Sequence, residues 1–171
     1  MVTWTILLRI IHLFGGIFWA GYGLFNIGFL SPTIRATGIE GQQVMRHLTQ
    51  KTQFLNTAYL ASTLTVFSGI LLYWIAVGFR MPAMMSGKGL VLLIGGVSGT
   101  IAWLIVIIPV RGIFNQMKTT TQQIQAQGTP PHPDQVARMQ GLAGRLASLS
   151  KTALALLVLT ILSMAIARYV V

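Results

Sequence analysis

The residues with the clearest capacity for chemistry lie in "RIIHLFGGIFWAG", Arg9 to Gly21, where an arginine and a histidine interrupt an apolar run. Steps of three or four residues from Thr5 pass through Arg9, His12, Gly16, Trp19, Gly23 and Asn26. On a helix these share one face. Ile6, Leu7, Ile10, Leu13, Ile17 and Leu24 take the other. Lipid offers polar groups no hydrogen-bond partner, so the polar face is predicted to point into protein.

An imidazole in an apolar helical interior can serve as axial ligand to a b-type haem. Such a haem also needs space for a flat ring and cations for its propionates. His12 supplies the imidazole, Gly15, Gly16 and Gly23 are small, and Trp19 follows on the same face. By helical rise His12 lies roughly 15 Å from the start of its helix. On the last apolar segment the same depth falls within Thr160–Ile166, which makes Met164 a candidate second ligand. Arg9 and Arg168 lie nearer the surface and are candidate propionate partners. Gly95–Gly99, Gly69 and Tyr73 are expected at similar depth. His47 lies some 30 Å away by helical rise, and His132 sits in a proline-rich turn. Two other readings stand beside haem: another metal or small ligand at His12, or an imidazole that only hydrogen-bonds Thr, Ser or Tyr across a helix interface, with both arginines snorkelling to headgroups.

The elements that must position these residues are helices in a membrane. Of 171 residues 54% are hydrophobic, and the 12 basic and 2 acidic residues make only 14 charged ones. Apolar stretches at 2–30, 54–77, 90–110 and 152–171 each approach the ~20 residues a helix needs to cross a bilayer. The predicted fold is all-α, a four-helix transmembrane bundle forming one domain over residues 1–171. The first stretch has no basic leader and is too long for a cleaved signal, so it is expected to remain as a helix. Ser86 or Lys88 is expected near the start of the third crossing, and Pro109 to bend it.

Between the crossings, Glu40–Gln53 is expected to extend the second helix below the membrane. Ile113, Phe114, Met117 and Ile124, then Val136, Met139, Leu142, Leu146 and Leu149, predict an amphipathic hairpin over 111–150. It turns at "QGTPPHPD" with Asp134 as N-cap, and the extension of the second helix is its expected apolar partner. Trp4, Tyr73, Trp74, Phe79 and Tyr169 read as an interfacial aromatic belt. Asn26, Asn56, Tyr59 and Thr63 form a candidate polar cluster toward the other side.

The net charge of +10 follows topology, which argues against nucleic acid as partner. Arg9, Arg80, Lys88 and Arg168 fall on the side of the termini. Arg35, Arg46, Lys51, Arg111, Lys118, Arg138, Arg145 and Lys151 fall on the other, with Glu40 and Asp134. The positive-inside rule then places both termini outside and the basic connections in the cytoplasm, facing anionic lipid headgroups. No cysteine is present, which excludes disulfides, thiolate metal sites and covalent haem attachment. No crossing carries a carboxylate, which argues against an ordinary proton- or sodium-coupled transporter. No enzyme motif is evident.

Arg9, His12, Trp19 and Gly21 within "LLRIIHLFGGIFWAGYGLF", with "VFSGILLYW" and "MAIARY" further on, resemble the CopD-like membrane proteins associated with copper resistance. The resemblance implies a small four-helix protein of the bacterial cytoplasmic membrane and raises copper as an alternative cofactor. Met81, Met84 and Met85 are the soft donors for Cu(I). The architecture also resembles four-helix membrane b-type cytochromes, which implies electron transfer, or sensing or reaction with a diatomic molecule. Those proteins usually carry several membrane histidines, and this chain offers one at suitable depth. A membrane redox partner, a homo-oligomer and a cofactor-free accessory role remain open.

Orientation can be read directly because the chain lacks cysteine. A single cysteine at Ser86 should react with a membrane-impermeant maleimide in intact cells. One at Gln127 should react only after permeabilisation, and the reverse pattern overturns the orientation.

Overall fold

In the computed structural model, residues 2–78 and 80–170 are described, Val2 by its backbone alone. The chain is helical almost throughout. Helix α1 (Val2–Phe25) passes through a π-turn at Asn26–Leu30 into α2 (Ser31–Ala36). Then come α3 (Gly38–Lys51), α4 (Phe54–Val77), the short α5 (Met81–Met84) and α6 (Gly87–Ile105). A second π-turn at Val106–Val110 leads into α7 (Arg111–Gln127), and α8 spans Pro133–Ile166. Four helical runs are long and apolar enough to cross a membrane: Thr3–Ala36, Phe54–Val77, Gly87–Gln127 and Pro133–Tyr169. The chain is a multi-pass membrane protein built as a four-helix bundle.

The bundle is two tight pairs. Helix α1 packs along α4, and α6 packs along α8. The pairs join mainly through α4 and α6, with a lighter contact between α1 and α8. All four crossings meet at Trp19, which is 5% exposed and clusters with Val66 of α4, Ala102 of α6, and Ala153 and Leu157 of α8. Exposed Ile, Leu and Phe side chains cover the outside of every crossing, as contact with acyl chains requires.

Local chemistry sets the helix ends. Ser86 caps α6, its side chain accepting from the Gly89 N–H at 3.1 Å. Gly78 and Gly128 end α4 and α7 in the left-handed region, with φ of 59° and 63°, which favours glycine. Both π-turns adjoin a proline. Pro109 lies inside the second, and Pro32 is two residues beyond the first. Proline lacks the N–H that would close an α-helical turn, and the extra residue accommodates the gap.

Three expectations differ from what is found. Glu40–Gln53 does not extend the second crossing. It forms the separate helix α3, and Thr52 is extended (φ −116°, ψ 169°). The Thr52 hydroxyl donates to the Leu48 carbonyl of α3 and accepts the Phe54 N–H at 3.2 Å across the break, and α4 begins after Gln53 without a side-chain cap. Helix α3 also leans on α2 and the start of α4 rather than serving the hairpin. The hairpin is closed by α7 and α8 themselves, with Ile113, Thr120 and Leu142 buried. The N-cap of α8 is His132, not Asp134. Pro133 occupies the first turn, and the His132 N–H donates to Gln135 Oε1 at 2.9 Å in a capping box.

Because Trp19 is shared by all four crossings, Trp19→Ala leaves a cavity with lost dispersion contacts on every side. A cost of about 3 kcal/mol is expected. It would be read as a lowered midpoint in thermal unfolding of the detergent-solubilised protein by circular dichroism, with Trp19→Phe milder.

Candidate functional site

His12 sits in the seam between α1 and α4. Its Nδ1 lies 2.8 Å from the backbone carbonyl oxygen of Thr65 and 3.5 Å from Ser68 Oγ. A carbonyl oxygen only accepts, so Nδ1 carries the proton and donates. In the neutral imidazole Nε2 is then left with the lone pair. No hydrogen bond to Nε2 is found among the described residues.

Gly69 makes this arrangement possible. It follows Thr65 by four residues, in the place where a side chain would shield the Thr65 carbonyl. A Cβ built there would stand 2.7 Å from His12 Cε1 and 3.1 Å from Nδ1. The imidazole therefore occupies the space a side chain would fill. The glycine expected at this depth is thus found, while the Thr65 carbonyl, the partner it uncovers, was missed. The available signal was a glycine one turn after a residue facing the histidine.

The other glycines on the polar faces are filled by protein. A Cβ on Gly15 would meet Thr65 Oγ1 at 2.5 Å and the Ala61 carbonyl oxygen at 3.1 Å, and one on Gly16 would touch Thr65 Cγ2 at 3.6 Å. On the other pair, a Cβ on Gly95 would stand 3.0 Å from Ser163 Cβ and one on Gly99 3.3 Å from Thr160 Oγ1. Ser98 Oγ and Thr160 Oγ1 share a hydrogen bond of 2.8 Å across the same seam. A Cβ on Gly23 would stand 3.6 Å from Leu154. These glycines bring helices together. The donor chemistry of His12 fits an axial ligand, but the two helix seams leave no slot for a macrocycle. A ring held at Nε2 lies outside them.

The remaining candidates divide between the pairs. Met164 is half-buried on α8, its Cε 3.5 Å from the Cβ position of Gly95 on α6. The described contacts thus put Met164 in the α6–α8 seam and His12 in the α1–α4 seam, and none joins the two. Arg9 is exposed near the start of α1. Arg168 is exposed at the end of α8, its guanidinium 5.2 Å from the Tyr169 ring centroid. Trp19, expected beside a ligand, is the hub of the core. The named α1–α8 contacts, through Trp19 and Gly23, lie beyond His12 along α1.

Among the aromatic residues, Trp4 and Tyr169 are exposed near the termini, and Tyr73 stacks edge-on with Trp74. Phe79 lies outside the described residues. The polar cluster separates. Asn56 is exposed and bonds Gln53, while Thr63 accepts from Trp103 Nε1 at 3.1 Å. Met81 and Met85 are exposed around α5, and Met84 is half-buried. No group of three His, Asp or Glu side chains gathers among the described residues. Comparison with known protein families, curated proteins and solved structures finds no match.

If Gly69 gives His12 its seat, Gly69→Ala should expel the ring and break the Nδ1–Thr65 bond. A loss of about 1–3 kcal/mol is expected from the overpacking. Nitrogen-15 NMR of labelled histidine should show a protonated Nδ1 in the parent protein and loss of that tautomer's signature in the variant.

Proposed function

We propose that this chain is a b-type haem protein of a bacterial cytoplasmic membrane. In this reading both termini lie outside and the basic connections face the cytoplasm. His12 Nε2 is the axial ligand. The single observation that carries the reading is the hydrogen bond from His12 Nδ1 to the Thr65 carbonyl. It fixes the tautomer and the ring plane, and it leaves Nε2 as an unpartnered donor atom inside an apolar crossing. Orientation of one ring nitrogen by a backbone carbonyl is the usual support for an imidazole that binds metal through the other.

Arg9 and Arg168 would supply the positive charge that propionates need at the outer end. No described contact joins Met164, held in the α6–α8 seam, to His12, so the sixth position is left open. The haem, when bound, supplies one-electron chemistry or a seat for a diatomic molecule. The chain's own part is to hold Nε2 in place and keep water from it. A membrane redox partner belongs to the electron-transfer form of this reading.

A second reading is favoured by a different observation. Every glycine on the inward face of α1, and Gly95 and Gly99 of α6, is met by protein within van der Waals distance. A bundle that is complete without a guest suits a cofactor-free accessory subunit, with the basic hairpin as its docking surface.

One experiment separates the two. Oxidised and dithionite-reduced absorption spectra of the detergent-purified protein, with a pyridine haemochrome assay and metal analysis, should show stoichiometric haem b. His12→Ala should lose the haem and keep its helical circular dichroism. Unchanged haem content in that variant would sink the ligand assignment. Folded protein with no Soret band, even with haem supplied during expression, would favour the accessory role, and bound copper the copper-handling one.

A further inference from the structure

We propose a second site, at the basic boundary of the bundle, that binds a phosphate group, most directly the phosphodiester of an anionic lipid. It stands at the opposite end of the bundle from His12 and does not depend on the haem reading. Three elements build it: the end of α1, the start of α4 and the junction between the second π-turn and α7.

Arg111 begins α7, and its guanidinium lies 5.6 Å from the centroid of the Tyr59 ring. On α1, the Tyr22 ring packs on Phe54, the first residue of α4, with centroids 4.7 Å apart. Asn26 follows Tyr22 by one turn, on the same side of the helix. Arg111 and Tyr22 thus approach the first turns of α4 from two other chain segments.

One of these groups has a donor with nothing to bond: Tyr59 OH is buried and has no hydrogen-bond partner. Asn26 Oδ1 is unpartnered too, but an amide oxygen only accepts and offers nothing to an anion. Buried polar atoms are nearly always satisfied, and an orphan calls for a guest with polar atoms of its own. The arginine sets the sign of that guest. Arg111 is exposed and makes no ion pair among the described residues. The whole chain holds two carboxylates, Glu40 and Asp134, against 12 basic residues. An anion is therefore the missing partner, and a tetrahedral phosphate both matches the guanidinium fork and accepts from a phenol.

The backbone around the cluster is also irregular. The π-turns at Asn26–Leu30 and Val106–Val110 flank it, one beginning at Asn26 itself and the other ending just before Arg111. Such turns gather at functional sites because they interrupt the rigid α-helical ladder. Proline accounts for their occurrence but not for their position, one a turn beyond Tyr22 and the other just before Arg111. Basic sites between crossing helices on the cytoplasmic side are where anionic headgroups bind.

The test is native mass spectrometry of the full chain released from nanodiscs of phosphatidylcholine and phosphatidylglycerol. Retained phosphatidylglycerol is measured for the parent and for Arg111→Gln, Arg111→Lys, Tyr59→Phe and Lys118→Gln, each first checked for helicity. The parent should retain phosphatidylglycerol selectively. Arg111→Gln should lower that selectivity about tenfold, as loss of a charge-assisted pair does. Tyr59→Phe should lower it less, Arg111→Lys should keep part of it, and Lys118→Gln should leave it unchanged. Arg111-dependent binding of inorganic phosphate in lipid-free detergent, without lipid selectivity, would identify free phosphate as the source and support the same chemistry. If Arg111→Gln does no more than Lys118→Gln and phosphate does not bind, the proposal is overturned and Arg111 serves only to cover the Tyr59 ring.

Discussion

In hydrocarbon a polar side chain has only protein to bond to, and most of this bundle can be understood from that constraint. The hydroxyls within the crossings bend back on their own helices: Ser62 to the Tyr59 carbonyl, Thr65 to Ala61, Thr100 to Gly96 and Thr160 to Leu156. These bonds satisfy the side chain without needing a neighbour, which leaves the helices free to pack by shape. Cross-helix polar bonds are then few and specific. His12 reaches the Thr65 carbonyl, Ser98 meets Thr160, and Trp103 donates to Thr63. Together they tie α1 to α4, α6 to α8 and α6 to α4.

The same constraint gives meaning to the exceptions. Asn26 Oδ1, Tyr59 OH and Tyr73 OH are buried without partners, and His12 Nε2 has no bond among the described residues. A water-filled fold would tolerate such atoms cheaply. A membrane interior does not, and two of these groups, His12 Nε2 and Tyr59 OH, are ones for which function is proposed.

Much of the architecture was legible because membrane crossing imposes length and composition at once. The four crossings, the inward face of α1 apart from the exposed Arg9, and a start for α6 near Ser86 or Lys88 follow from apolar runs, helical spacing and the punctuation of the loop. What could not be read was local competition at helix ends. Nothing in "TQKTQF" announces that the helix will break at Thr52 rather than run on, because the hydroxyl competes with the ladder over two residues. Pro133 similarly moves the cap of α8 back to His132. The glycines posed a deeper ambiguity. A glycine face can admit a ligand or another helix, and the sequence is the same in both cases. Only the Cβ positions, pressed against Thr65, Ser163 and Thr160, show that protein has taken the space.

The two arms of the hairpin differ in mechanics. Helix α8 runs unbroken for 34 residues, about 51 Å at the rise of an α-helix. The other arm is jointed at Val106–Val110, where Pro109 interrupts the ladder. A push on the proline turn is therefore transmitted differently along each arm. The jointed arm absorbs it at the membrane boundary, while α8 acts as a stiff lever and carries it past Met164 to Arg168 just beyond its far end. A force applied on one face of the membrane is thus delivered to the other through one helix.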